Sequence, residues 1–344
     1  MTFQMSLRNI ESTYGSDQHG LIWGYRFAPG QPAQSVTSEA AAEFLAAADA
    51  GLPGEFIWLH FSLSNSASEH WLKHRLTLPE AFYESLRSKV GSTRLEQDDD
   101  ALVAVIHDVL FDSKFDTSSV ATTSLCIEPR LMVSARLRPL RSIDLLRTAV
   151  RAGHVFRSPV ELLAHLLQDQ ASVLVDIVRQ STLRVNQIED HLISHHISTS
   201  RTELGALRRV LVRLQRLLAP EPAALFRLLN RPPDWISSGG VQDLQEAAEE
   251  FSAAVGDSVA LVERVKLLQE ELTALVNEQT NRTLFVLTSV TVLALPFNLV
   301  VGLFGMNVGG IPLAEHGYGF FMILGFLLAL TALLAYLVLG RKHD

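Results

Sequence analysis

Between Thr283 and Ala314 the chain carries no Asp, Glu, Lys, Arg or His. Read at alternating steps of three and four, Asn281, Leu284, Thr288, Thr291, Leu295, Asn298, Gly302 and Gly305 fall on one helical face. Other faces carry Phe285, Val286, Val292, Leu293, Val300 and Leu303. Amides and hydroxyls without a carboxylate, imidazole or thiolate hold no nucleophile and no general acid or base. Their chemistry is hydrogen bonding to water, and at most weak ligation of an ion that keeps much of its hydration shell. Bare Mg²⁺ sheds water reluctantly, and Zn²⁺ prefers ligands that this stretch does not contain. Leu284 and Leu295 share the face and could form apolar constrictions that close by dewetting. The lack of acids also leaves no side chain here for a proton relay.

The run that must position these groups is long enough to cross a hydrocarbon core of ~30 Å as a helix. A second apolar run, Tyr318 to Leu339, follows after a short link, so two spans form a hairpin. Arg282 precedes the first span and Arg341 with Lys342 closes the second, while the link VGGIPLAEHG has no Lys or Arg. The positive-inside rule then places both termini in the cytoplasm. Two spans cannot enclose a path, so a water-facing stripe requires several copies around an axis. The alternative is that small and polar residues merely hold helices together, which is also oligomeric.

At the far end of the first span stands Gly305-Met306-Asn307, preceded by Pro296 and Gly302. The stretch LPFNLVVGLFGMN resembles the pore helix and Gly-Met-Asn signature of the CorA family of divalent-cation transporters. Gly309-Gly310-Ile311-Pro312 and Gly319-Phe320 look more like its ZntB branch. The resemblance covers the helical stalk and both spans well, and the N-terminal domain only in outline. It implies a homopentamer with a cytoplasmic funnel in a bacterial inner membrane. It also implies Zn²⁺ as cargo, with uptake coupled to protons. Asn307 would then hydrogen-bond the ion's water shell at the mouth, beside Gly305 and Met306. Glu315 and His316, the ionisable groups of the link, would attract cations there.

The stripe extends inward by sevens from Leu284 to Asn277, Glu270, Glu263, Gly256 and Glu249. A neighbouring series holds Glu278, Glu271, Arg264, Asp257, Glu250 and Asp243. Facing an axis, the acids Glu249, Glu263, Glu270, Glu271 and Glu278 form a funnel that concentrates cations. A solvated helix face is the plain alternative. His191 and His195 are one turn apart, with His196 adjacent, spacing that suits a metal ion as well as an exposed hairpin tip. His70 and His74 repeat that spacing.

The 344 residues, 48% hydrophobic with a net charge of −8, allow a sizeable domain before the hairpin. The acidic balance argues against a nucleic-acid partner. MTFQMSLRNIES lacks the features of a signal peptide. The single cysteine, Cys126, excludes a disulfide frame and a thiolate cluster, and reads as core. No phosphate loop, dinucleotide fingerprint or nucleophile elbow supports an enzyme, and no resident cofactor is expected.

In residues 1–157 strand-like runs (Leu21 to Phe27, Glu55 to Leu63, Ala101 to Phe111, then two within SLCIEPRLMVSARL) alternate with helices. Those helices are Ser38 to Ala50 with Ser38 as cap, Ser68 to Leu76 and Pro79 to Val90. An α/β domain is expected. Residues 158–240 read as antiparallel stalk helices, the first capped by Ser158 and the second opened by the capping box Ser200-Arg201-Thr202-Glu203. After Gly239-Gly240 one helix can run from Val241 through the membrane, with 241–282 before the span, 283–305 as the first span, 306–317 as the external loop, 318–339 as the second span and 340–344 as a tail. The fold class is an α+β membrane protein. Rival functions are a CorA-type Mg²⁺/Co²⁺ channel and a membrane-tethered metal sensor or scaffold that conducts nothing.

Overall fold

The computed structural model describes residues 15–47, 54–87, 94–110, 120–193, 197–306 and 317–340. The chain divides into two compact units, residues 1–267 and 268–344.

The first unit is built on a seven-stranded sheet of order β2-β1-β3-β7-β6-β5-β4. Its strands are β1 (Leu21–Phe27), β2 (Gln34–Ser35), β3 (Phe56–Ser62), β4 (Arg94–Asp98), β5 (Ala101–Val109), β6 (Val120–Glu128) and β7 (Leu131–Arg136). β3 and β7 run parallel, and the other neighbours are antiparallel. Both faces are covered, which is why β3, β5 and β7 are buried almost throughout. Side chains alternate between two cores. On one face Ile57, Leu59, Phe61, Val103, Cys126 and Val133 pack against Trp71, Leu72, Phe82 and Tyr83. Those four come from α2 (Ala67–Arg75) and α3 (Glu80–Arg87). On the other, Phe27, Phe56, Trp58, Leu102, Leu125 and Met132 meet Ile143, Leu146, Leu163, Leu166, Leu225 and Leu244. Gly24 in β1 is needed because a Cβ there would approach Val36 Cγ2 and its carbonyl oxygen to 3.0 Å. Cys126 is wholly buried, and burial pushes its thiol pKa well up.

The remaining helices are α1 (Ser38–Ala46), α4 (Arg141–Arg151), α5 (Pro159–Ile193), α6 (Ile197–Leu218), α7 (Pro220–Leu229), α8 (Ser238–Phe304) and α9 (Gly319–Gly340). Several boundaries differ from expectation for physical reasons. The cap of α1 is Thr37, whose Oγ1 accepts from Ala40 N at 3.3 Å, while Ser38 Oγ donates to Asp17 Oδ2 at 2.8 Å. The helix closes at Ala46, where the Ala47 N–H bonds to the Glu43 carbonyl. α6 opens at Ile197, so Ser200 to Glu203 lies inside the helix; no proline or glycine between 197 and 200 forbids it. α8 opens at Ser238, with Gly239 and Gly240 in its first turn, because Ser237 Oγ caps Gly240 N at 3.2 Å. The expected start of α5 is observed: Ser158 Oγ accepts from Glu161 N at 3.2 Å, and Glu161 Oε2 reaches back to Arg157 N at 2.7 Å. Two further strands, β2 and β4, and helix α4 have no counterpart in the sequence reading.

α5 and α8 run in the same direction. Arg157 at the head of α5 bonds Asp243 at 3.5 Å, and Ala171, Leu174 and Ile177 share a core with Phe251 and Ala254. Further along, Glu189 pairs with Arg264 at 2.5 Å.

Candidate functional site: the exposed stripe of the long helix

α8 is 67 residues long, about 100 Å at 1.5 Å per residue. In the first unit its buried residues include a row at steps of three and four, Leu244, Ala247, Phe251, Ala254, Ser258, Leu261 and Val265, with Ala248 and Val262 beside it. That 3.5-residue period is a coiled-coil seam. The series Glu249, Gly256 and Glu263 falls five positions after each of Leu244, Phe251 and Ser258, on the face away from the seam, and all three are exposed. Glu270, Asn277 and Leu284 continue the same spacing and are also exposed.

The neighbouring series divides. It flanks the seam, so Asp243 is held by Arg157, just before α5, and Arg264 by Glu189 of α5, the latter also donating to Asn186 Oδ1 at 2.9 Å. Glu271 and Glu278 lie beyond α8's first-unit seam and are exposed. One cation intrudes on the acidic face: Lys266 Nζ is 3.5 Å from Glu263.

In the second unit α8 stays helical through Pro296 to Phe304. Over residues 281–306 its partly covered positions are Ser289, Leu293, Pro296, Phe297 and Val300, which form a single face. Asn281, Leu284, Thr288, Thr291, Leu295, Asn298, Gly302, Gly305 and Met306 are all exposed and lie off that face. α9 has its own covered row, Ile323, Leu327, Leu330 and Leu334, with Leu327 buried. Thr291 Oγ1 donates to the Leu287 carbonyl at 2.8 Å, and so does Ser289 Oγ to that of Phe285 at 2.7 Å. A back-bonded hydroxyl spends its proton inside the helix and leaves its oxygen as an acceptor. That suits the water shell of a cation, whose hydrogens point outward. Gly305 closes the helix: its N–H bonds to the Val301 carbonyl at 2.8 Å, and a Cβ would lie 2.9 Å from that oxygen.

Asn307, Glu315, His195, His196 and His316 lie outside the described residues, as does the side chain of His191. Among the described residues, no group of three or more His, Cys, Asp or Glu side chains could hold a metal ion. The His70 and His74 rings do meet, with centroids 4.0 Å apart and planes tilted by 33°, and His74 Nδ1 donates to the His70 carbonyl.

Three buried polar networks lie in the first unit and left no local sequence signal. Asp108 in β5 accepts from Ser142 N at 2.8 Å, Ser142 Oγ at 2.5 Å and Val109 N at 2.6 Å, pinning the start of α4 to the sheet. Burial outweighs these bonds and pushes its carboxyl pKa up to about 6. Glu221 at the start of α7 accepts from His107 N at 2.7 Å and from Gln170 Nε2 at 2.8 Å, joining α7, β5 and α5. Burial raises its pKa too. At the β1–β3–β7 end, Arg136 Nε donates to His60 Nε2 at 2.7 Å and the ring stacks on Trp23. His60 is thereby neutral, its pKa held well down by burial and then by Arg136 and Arg147.

The sequence model of the family described as CorA-like Mg²⁺ transporter protein matches residues 53–342. The chain belongs to the CorA family. It is accordingly a divalent-cation transporter, of a family of transporters rather than enzymes, and α8 and α9 supply its membrane spans. It is 26% identical over 270 residues, 77% of this chain and 80% of the relative, to "Zinc transport protein ZntB" of Pectobacterium atrosepticum. It is 26% identical over 317 residues, 91% of this chain and 93% of the relative, to "Divalent cation transporter CmaX" of Pseudomonas aeruginosa. The fold is that of the full-length CmaX structure, with a TM-score of 0.78 and 23% identity over 94% of this chain and 99% of the other. It is also that of the complete CorA magnesium transporter of Methanocaldococcus jannaschii, with a TM-score of 0.73 and 17% identity over 92% and 96%.

Proposed function

We propose that this CorA-family protein transports Zn²⁺, as a largely hydrated ion, along the axis of a homopentamer in a bacterial inner membrane, with both termini cytoplasmic. The observation that carries the cargo is the similarity to relatives named as zinc transport proteins, over 77% of the chain in the first of them. The path is supported by the polar make-up of one exposed stripe of α8. Its acids Glu249, Glu263 and Glu270 draw cations in, with Glu271 and Glu278 beside them, and neutral oxygens of Thr288, Thr291 and Asn298 then receive the water shell. Gly305, Met306 and Asn307 form the mouth, with Glu315 and His316 outside it. Leu284 and Leu295 are the apolar constrictions. The span contains no acid, so any coupling of uptake to protons uses groups outside its own side chains. His191, His195 and His196 form a second candidate for metal binding.

A broader or Mg²⁺-centred selectivity is favoured by the family's description and by the similarity to a divalent cation transporter over 91% of the chain. Uptake into proteoliposomes decides between them. The zinc reading expects Zn²⁺ flux that responds to an imposed pH gradient and drops to background in Asn307→Ala. Mg²⁺ flux without Zn²⁺ flux, indifferent to the gradient, would overturn it. Background flux in both forms would establish the non-conducting sensor instead.

A further inference from the structure

Each chain carries two exposed surfaces in its first unit that complement each other and do not meet within the chain. α5 and α6 flank an open groove of about 520 Å³, walled by Leu183, Arg184 and Gln187 of α5 and by Ala206, Leu207 and Val210 of α6. Leu183 is 57% exposed on its wall. The surround is basic. α6 carries five arginines, all exposed, against one acid, Glu203, and Arg179 and Arg184 of α5 are exposed beside them. In a chain of net charge −8 this is a local reversal of sign.

The second surface is a flank of α8. Glu246, Glu250, Ala253, Asp257, Ala260 and Leu267 recur at steps of four and three, with Arg264, held by Glu189, between the last two. All six are exposed, Leu267 by 62%. The row runs beside the stripe of Glu249, Gly256 and Glu263 and leaves it free. A row of 3.5-residue period is a helix-packing seam. Its alanines let another helix approach closely, and its acids call for cations opposite. α8 turns a different seam to α5 of its own chain, so this one stays open.

The two surfaces also stand at one height. α5 and α8 run side by side, with Arg157 meeting Asp243 and Glu189 meeting Arg264, 86 and 75 positions apart. Leu183 and Arg184 are therefore level with the turn from Asp257 to Ala260. Rotation about an axis parallel to α8 keeps heights, so in a ring the groove of one chain can face that turn of the next.

We propose that the α5–α6 groove of one chain receives the Glu246-to-Leu267 flank of α8 from a second copy, with Ala260 against Leu183 and Asp257 against Arg184 and Arg209. The contact rests on the homopentamer reading above and assigns the surfaces that close its ring. It joins two different surfaces, and such heterologous contacts form rings when the rotation closes. A helix laid in a groove is held by its apolar anchors. Exposed ion pairs add little strength, so the charges set register and choice of partner.

The native Cys126 is wholly buried, so cysteines introduced at the surface can be followed alone. Full-length protein in its membrane, carrying Leu183→Cys and Ala260→Cys together, is oxidised and run on a non-reducing gel. A ladder from dimer to pentamer is expected from the pair and from neither single variant. Light scattering in detergent reads the oligomer independently. Monomer bands alone from protein of pentameric mass would overturn the proposal and leave the pentamer standing. Dimers from Leu183→Cys alone would also overturn it, because two grooves would then face each other. A ladder from protein that is not pentameric by mass would uphold the contact and fault the pentamer. Should the cysteines disturb folding, Asp257→Arg is expected to lower the assembled fraction at fixed dilution several-fold, and Arg184→Asp to restore it. Unchanged assembly in Asp257→Arg, or a loss that Arg184→Asp leaves unrepaired, would overturn the proposal.

Discussion

Asp108→Asn should flatten one component of the protein's pH–stability profile. Asp108 is 1% exposed, and its carboxyl titrates at about 6 in the fold against an ordinary 3.8. The folded state therefore binds this proton more tightly than the unfolded state. The stabilisation is complete below the unfolded value, is lost as pH rises between about 4 and 6, and changes little above about 7. Each pH unit across that window is worth about 1.4 kcal/mol, so the whole loss is about 3 kcal/mol. Asn retains an oxygen for the Ser142 N–H and carries no charge to desolvate. Other buried groups complicate the raw profile: Glu221, Asp144 and Glu128 are also raised, while His60 and His165 are lowered. Subtracting the Asp108→Asn profile from the wild type removes those not coupled to Asp108; Asp144 and Asp169, the latter raised to about 7, are coupled to it and shift with the substitution. Urea denaturation followed by tryptophan fluorescence, at pH 4 through 8, should give a difference that grows by about 3 kcal/mol against the wild type. A difference that stays flat across the range would refute the claim that desolvation outweighs the three hydrogen bonds.

Replacing Glu249, Glu263 and Glu270 together by Gln should lower Zn²⁺ uptake at low ionic strength several-fold, and the deficit should shrink in 0.5 M salt, where the Debye length falls to about 4 Å; isotope uptake at two salt concentrations checks it. Phe251→Ala removes a ring that is 0% exposed in the seam between α8 and α5, and should cost about 3–5 kcal/mol in denaturation experiments. Gly305→Ala places a methyl 2.9 Å from the Val301 carbonyl oxygen, and should abolish most flux without loss of membrane insertion, as judged by uptake and by extraction resistance.

Elements with strong local patterns were legible. β1 coincides with the run Leu21 to Phe27, and α5 begins at the Ser158-Pro159 signal. β2 has two residues and β4 is the polar, half-exposed RLEQD, so neither carries an apolar alternation to read. α4 follows a proline within an Arg-rich stretch that resembles a loop, and its start is set by Asp108, 34 positions earlier. The Glu221 network joins residues 114 and 51 positions apart. No spacing rule links such residues, because the sheet brings them together. The seven-residue series on α8 were visible as spacing alone. That Arg264 and Asp243 turn to α5 while Glu249 and Glu263 stay open depends on where α5 lies, which only the fold decides.

The polar stripe of α8 is the proposed path of the ion. Zn²⁺ uptake into proteoliposomes, compared between Asn298→Leu on the stripe and Leu293→Ala on the covered face, tests it most directly. Near-background uptake is expected for Asn298→Leu and substantial uptake for Leu293→Ala. Wild-type uptake in Asn298→Leu, with protein incorporated to the same level, would contradict it.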